Sequence, residues 1–320
     1  MCSAPTTSIN LRDRIVGIEQ KVPLLDGRMV PYVNLDNAAS TPALRDVADA
    51  IERFLPYYSS VHRGTGFKSR LSTVAYDQAH EIILRFVGAD PETNTCIFGK
   101  NSTEALNKLA YRFPLEADAV IITTQMEHHS NDLPWRSRAK VVHIRTTADG
   151  RFDEDDFDQQ LAKYGERVAL VAVTGASNVS GFIQPIHRLA RKAHAAGAMF
   201  LVDAAQLAPH RAVDMKADDD PEHLDFVVLS AHKMYAPFGT GALIGPQEIF
   251  LQGPPEYRGG GTVDIVTLDE VTWAGMPDRD EAGSPNVIGA VAMAAAIQVL
   301  MDVGMDHVAA HEEALIAYTC

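Results

Sequence analysis

Seven short runs along the chain are apolar or β-branched on nearly every position: 95–98, 119–124, 141–144, 168–173, 199–203, 226–230 and 242–244. Runs apolar on consecutive positions are the mark of strands covered on both faces. Between and before them, apolar residues recur every third or fourth position, which predicts helices over 43–54, 71–86, 103–111, 154–163 and 186–196. Strand–helix alternation of this kind predicts an α/β domain with a mostly parallel sheet and right-handed crossovers. The pattern changes near the end. Residues 286–303 are Ala- and Met-rich and read as a long buried helix, and 305–317 as a second helix. The expected organisation is an N-terminal segment (1–30), a large domain (31–275) and connector helices (276–320) leading into a truncated second domain.

Composition narrows the function classes. A chain of 320 residues that is 46% hydrophobic and 22% charged has enough apolar mass for a large core. The 42 acidic residues against 28 basic ones give a net charge of −14. Phosphate contacts need clustered Lys and Arg, so neither nucleic acid nor an anionic membrane surface is an expected partner. No apolar run is long enough for a membrane-spanning helix. Residues 1–10 are polar, unlike a signal peptide. The three cysteines, Cys2, Cys96 and Cys320, have no metal-ligand spacing and fit a reducing cytoplasm. His307 and His311 stand four apart but lack the Glu of a zinc-protease motif, so an exposed helix face is expected. The run Asp218-Asp219-Asp220 reads as a solvated loop.

In α/β sheets, ligands sit beyond the carboxyl ends of the strands, so chemistry is sought there. Asp203 ends one apolar run; an acid there either caps a helix or pairs with a buried cation. Lys233 follows another run, thirty residues later, one strand–helix–strand step away. A desolvated lysine can lose its proton and act as a Schiff-base amine. Gly99-Lys100-Asn101-Ser102-Thr103-Glu104 opens a helix and reads either as a phosphate cradle or as an ordinary cap. Glu127-His128-His129-Ser130-Asn131 offers a histidine for stacking on a flat ring, or simply two loop histidines. No GxGxxG or Walker loop occurs at the first strand–helix turn, against a plain nucleotide-binding protein.

Taken in order, nine segments resemble the class V (fold type I) aminotransferases, which use pyridoxal 5′-phosphate (PLP): NLDNAASTP (34–42), SSVHRG (59–64), FGKNSTEALN (98–107), MEHHSNDLPW (126–135), GASNVSG (175–181), LVDAAQ (201–206), LSAHKMYAPFGTG (229–241), RGGGT (258–262) and EAGSPN (281–286). Within that family the likeness is greatest to the Suf-type cysteine desulfurase and selenocysteine lyase branch. The resemblance implies a three-layer large domain and a role for each matching residue. Lys233 would bind PLP covalently and shuttle protons at the substrate α-carbon. Asp203 would pair with the pyridine nitrogen, Gln206 would sit near the phenolic oxygen, and His128 would stack on the ring and assist proton transfer. Ser102, Thr103, Ser230 and His232 would hold the phosphate. Asn178 would lie by the ring oxygen and substrate, and Asn37 and Arg63 near the substrate entrance. Ser284 would reach the phosphate of a neighbouring subunit, implying a homodimer. No metal is implied.

The implied substrate is a small amino acid, with removal of sulfur from L-cysteine to leave L-alanine, and a sulfur-acceptor protein as partner. Such relatives carry a small domain with a carboxylate-binding arginine and a loop cysteine; neither is assigned to a residue of this sequence. Transamination, epimerisation, β-elimination, or PLP binding without turnover remain open alternatives.

Overall fold

The computed structural model describes residues 11–62 and 64–319. Arg63 therefore lies outside the described residues, as do Cys2 and Cys320. In chain order the strands are β1 (Lys21–Pro23), β2 (Met29–Pro31), β3 (Asn94–Gly99), β4 (Val120–Thr124), β5 (Lys140–Ile144), β6 (Val168–Thr174), β7 (Met199–Asp203), β8 (Phe226–Ser230), β9 (Gly241–Pro246), β10 (Val263–Val266) and β11 (Val271–Trp273). The helices are α1 (Arg45–Phe54), α2 (Phe67–Phe86), α3 (Ser102–Arg112), α4 (Leu133–Arg136), α5 (Glu154–Tyr164), α6 (Ile186–Ala195), α7 (Gln247–Leu251), α8 (Val287–Val303) and α9 (Met305–Thr319).

The seven apolar runs become one seven-stranded sheet in the order β3-β9-β8-β7-β6-β4-β5. Strands β5, β4, β6, β7 and β8 run parallel, while β9 is antiparallel to both its neighbours. Only ten residues separate β8 from β9, too few for the crossover helix that a parallel return requires, so the strand reverses. Side chains alternate between the two faces. Ile122, Val171, Val202 and Val227 join a core built with α1, α2, α5, α6 and α8. Ile121, Leu170, Leu201 and Val228 join a second core with α3, Trp135 and Phe250. The result is three layers, helix–sheet–helix, as the resemblance implies. Each fully buried Leu, Ile or Phe contributes about 1.5–3 kcal/mol of transfer free energy.

Helix α6 shows how the pattern works: Ile186, Leu189, Ala190 and Ala193 form one buried stripe. Helix α8, apolar except for Gln298 and Asp302, is buried against α1 and α2, and Ala290, Met293, Ile297 and Leu300 belong to the large core. No single described helix is long and apolar enough to cross a membrane. Cys96 is a core thiol on β3, 1% exposed, with burial pushing its pKa up.

Candidate active site

Six chain segments, 36–39, 101–103, 128–130, 174–178, 203–206 and 230–233, meet around a cavity of about 390 Å³, and four of them build most of its chemistry. That volume falls in the range of small-ligand sites, roughly 300–1,000 Å³. Nine of the residues singled out from the sequence line it: Lys233, Asp203, His128, Gln206, Ser102, Thr103, Ser230, His232 and Asn178.

The last residue of β7 is Asp203, 5% exposed. Its Oδ1 accepts the Ala205 N–H at 3.1 Å. Burial pushes its pKa up, opposed by that hydrogen bond and by the charges of Lys233 and His128. A buried carboxylate so placed favours a cationic partner in the cavity. Beside it, Gln206 Nε2 donates to the Ala38 carbonyl at 2.7 Å, fixing the 38–39 loop over the cavity.

Strand β8 ends at Ser230, followed by a single 3-10 turn, Ala231–Lys233. Burial lowers the Lys233 pKa, and the Asp203 charge partly restores it. Desolvation thus moves this ammonium toward a neutral amine. The turn is locked from outside. The His232 carbonyl accepts from Thr41 N–H at 3.0 Å and from Ser40 Oγ at 3.2 Å. Tyr235, at a left-handed φ of 66°, donates its N–H to Thr41 Oγ1 at 2.7 Å. Burial, then the Lys233 charge, lower the His232 pKa.

The third segment follows β3. Asn101 is the N-cap of α3, its side chain accepting the Glu104 N–H at 3.0 Å. The capping falls to Asn101, and Ser102 and Thr103 line the cavity. The helix start brings unpaired N–H groups and the positive dipole end. Gly241, at the start of β9, packs directly on this turn: a Cβ there would lie 2.4 Å from the Asn101 carbonyl carbon and 2.8 Å from Ser102 N. Both are backbone atoms and cannot yield cheaply. Gly241→Ala is therefore expected to cost about 1–3 kcal/mol and to weaken anion binding at the turn. A thermal melt and a PLP titration check this; an unchanged Tm would contradict the packing argument.

The fourth segment follows β4. His128 Nδ1 accepts the Ser130 N–H at 3.2 Å, which leaves the neutral ring's proton on Nε2. Ser130 Oγ lies 2.9 Å from that nitrogen and 2.7 Å from Thr103 Oγ1, tying the loop to α3. Glu127 was not singled out from the sequence, where it looks like a loop acid. Its carboxylate accepts from Thr124 Oγ1 (2.7 Å), Thr174 N–H (2.8 Å) and Asn131 Nδ2 (2.6 Å), clamping the loop onto β4 and β6. Desolvation pushes its pKa up to about 8. Also unforeseen are Asp36, Ala38, Ala39 and Ser130 in the lining; each belongs to a segment chosen for a different residue.

Three expectations fall elsewhere. Asn37 is not among the lining residues; its Oδ1 accepts from Asn34 Nδ2 at 2.7 Å. Ser284 lines a separate cavity with Gly99, Lys100 and Glu104, behind the turn that opens α3. Arg63 lies outside the described residues.

The cavity suits a flat, anionic cofactor with an electrophilic carbon. It offers a desolvated amine, a buried carboxylate, an exposed imidazole and a helix N-terminus. Ser230 also lines it, with its Oγ buried and without a hydrogen-bond partner in the protein. An orphaned buried hydroxyl of this kind calls for a ligand atom. These features, on a mostly parallel three-layer sheet, are those of the class of PLP-dependent enzymes.

Comparison with known proteins agrees. The sequence pattern of the family "Aminotransferase class-V" matches residues 33–320, so this chain belongs to the class-V aminotransferase family. It is 37% identical over 303 residues to a cysteine desulfurase of Haloferax volcanii, covering 92% of this chain and 69% of that protein. It is 36% identical over 319 residues to a probable cysteine desulfurase of Streptomyces coelicolor, covering 94% and 74%. The apo structure of cysteine desulfurase from Thermococcus onnurineus NA1 superposes with a TM-score of 0.80 at 31% identity, over 96% of this chain and 73% of that one. The cysteine desulfurase CsdA of Escherichia coli gives 0.73 at 31% identity, over 85% and 69%.

Proposed function

We propose that this chain is a PLP-dependent enzyme that acts on a small amino acid, with L-cysteine desulfuration as its reaction. The observation that carries the reading is the convergence of Lys233, Asp203 and the partnerless Ser230 hydroxyl on one cavity. When bound, PLP supplies the electron sink that lets a proton leave the substrate α-carbon.

The chain's own residues have distinct tasks. Lys233 would hold the cofactor and then take and return the α-proton at Nζ, a role helped by its lowered pKa. Asp203 would keep a proton on the ring nitrogen. Ser102, Thr103, Ser230 and His232 would hold the phosphate, with the α3 N-terminus behind it. His128 would cover one ring face and present its Nε2 proton. Gln206 and Asn178 would lie at the ring's oxygen edge. Ser284 would reach the phosphate site of a neighbouring subunit in a homodimer, which light scattering tests. The exposed apolar side chains of the β10–β11 hairpin, Ile265, Val266 and Val271, support such a contact. A buried, unpaired Cys96 supports a reducing, cytoplasmic setting.

Sulfur removal also needs a thiol to accept the sulfur: L-cysteine and a thiol give L-alanine and a persulfide. Cys96 does not fit that task, being buried and with its thiolate disfavoured. An acceptor thiol would therefore come from outside the described residues, either elsewhere in the protein or from a sulfur-acceptor partner. Cys96→Ala is accordingly expected to leave alanine formation unchanged while costing about 1 kcal/mol of stability. Loss of activity in a folded Cys96→Ala variant would place the nucleophile in the core and contradict this.

The test of the reading is amino-acid analysis after incubation with PLP, L-cysteine and dithiothreitol. Alanine in step with sulfide supports it. Since no described cysteine lines the cavity, β-elimination at the same site is the second reading; pyruvate and ammonia in place of alanine would establish it.

A further inference from the structure

At the opposite end of the strands, where β7 and β8 begin, two histidines and an aspartate converge. His194 lies on α6, and His223 and Asp225 lie in the segment entering β8. Their candidate ligand atoms all fall within 4.8 Å of one another. His194 Nε2 is 2.9 Å from Asp225 Oδ2, and His223 Nε2 is 3.3 Å from Asp225 Oδ1. The two imidazole rings are stacked, 4.1 Å apart and inclined by 18°.

The other ring nitrogens fix the chemistry. His194 Nδ1 lies 2.9 Å from the Pro221 carbonyl, and His223 Nδ1 lies 2.7 Å from the Asp220 carbonyl. A carbonyl oxygen only accepts, so both Nδ1 atoms carry protons. A neutral ring then presents a bare Nε2 lone pair to the carboxylate, which also only accepts. The contact is repulsive unless something positive lies between. Protons on the two rings would meet it as separate hydrogen bonds to the carboxylate oxygens. One divalent cation satisfies all three groups. Nδ1–H donation to a backbone carbonyl is also the outer arrangement that orients ligating histidines.

We propose that His194, His223 and Asp225 form a binding site for a first-row divalent cation of the zinc type, tying α6 to the starts of β7 and β8. Imidazole and carboxylate suit zinc, with water completing a four-coordinate shell. The Asp225 carboxylate is held in place by the Phe200 N–H, which donates to Oδ2 at 2.7 Å. The side chains are 17%, 20% and 9% exposed, so the cluster is sheltered yet reachable. It borders a cavity of about 490 Å³ whose lining includes Glu92, Asp218 and Glu248, a setting that attracts cations. The run 218–220 is a largely exposed turn, as the sequence suggested, with Asp218 on the cavity wall and the Asp220 carbonyl holding His223. The cluster sits at the strand ends away from Asp203 and Ser230, so its role is structural and independent of the PLP reading.

The test uses the full chain. After exposure to zinc and dialysis, elemental analysis is expected to find about one zinc per chain. Cobalt substitution is expected to give the visible ligand-field bands of a low-symmetry site, and zinc to raise the Tm. His194→Gln and His223→Gln are each expected to weaken binding at least about tenfold and to remove the cobalt bands. Absence of zinc and of cobalt bands in the wild-type chain overturns the proposal without recourse to any variant. So does undiminished binding in the His194→Gln/His223→Gln double variant. So does a wild-type chain whose two imidazoles titrate as a protonated pair and whose Tm is indifferent to zinc.

Discussion

Lys233→Ala is expected to abolish the visible absorbance that PLP acquires on the wild-type chain and to lower alanine formation by at least about 10³-fold. The reasons are geometric. Lys233 is held on a single 3-10 turn whose carbonyl at His232 is gripped by Thr41 and Ser40, so its amine has a fixed origin. The other lysine in the phosphate segment, Lys100, is exposed and pairs with Glu104 at 3.7 Å, so it is no substitute. The variant removes a flexible side chain beside a cavity, and its melting temperature is expected to stay near that of the wild type. Absorbance spectra and amino-acid analysis together check this. A variant that keeps both the spectrum and the turnover would remove Lys233 from the mechanism.

The second large effect is expected at Asp203. Asp203→Asn keeps the side chain's shape and its contact with the Ala205 N–H but removes a charge from a site 5% exposed. On the proposed reading, the β7 end would then no longer supply a carboxylate to hold a proton on the ring nitrogen, and the electron sink would be blunted. Alanine formation is expected to fall by about 10²–10³-fold, with PLP held less tightly. The same change removes the attraction that props up the Lys233 ammonium, so the lysine pKa is expected to fall further below its ordinary value. A pH titration of the bound chromophore reads that shift. Wild-type turnover in Asp203→Asn would contradict the account of the carboxylate.

Much of this architecture is legible in the sequence because the central strands are buried on both faces. Val168–Thr174 and Phe226–Ser230 are apolar almost throughout, and a covered strand admits little else. The hairpins β1–β2 and β10–β11 escaped, since strands of three or four mostly exposed residues carry no apolar run. The spatial order of the strands was not stated by the pattern either; the reversal at β9 follows from the short link after β8 rather than from strand composition. Lys233 and Asp203 were legible because they stand immediately after buried runs, where α/β folds place their chemistry. Glu127 was not, because its clamp depends on Thr174, a residue 47 positions away that meets it only through the β4–β6 pairing. His194 and Asp225 were invisible for the same reason: a helix residue and a strand-entry residue 31 positions apart form no motif until the sheet is built.

The central claim is that this cavity carries PLP on Lys233. Borohydride reduction of the PLP-loaded chain, followed by proteolysis and mass spectrometry of the peptides, tests it most directly. The account predicts one pyridoxyl group per chain, on the peptide containing Lys233. A label on another lysine, a label scattered over many, or none at all would contradict it.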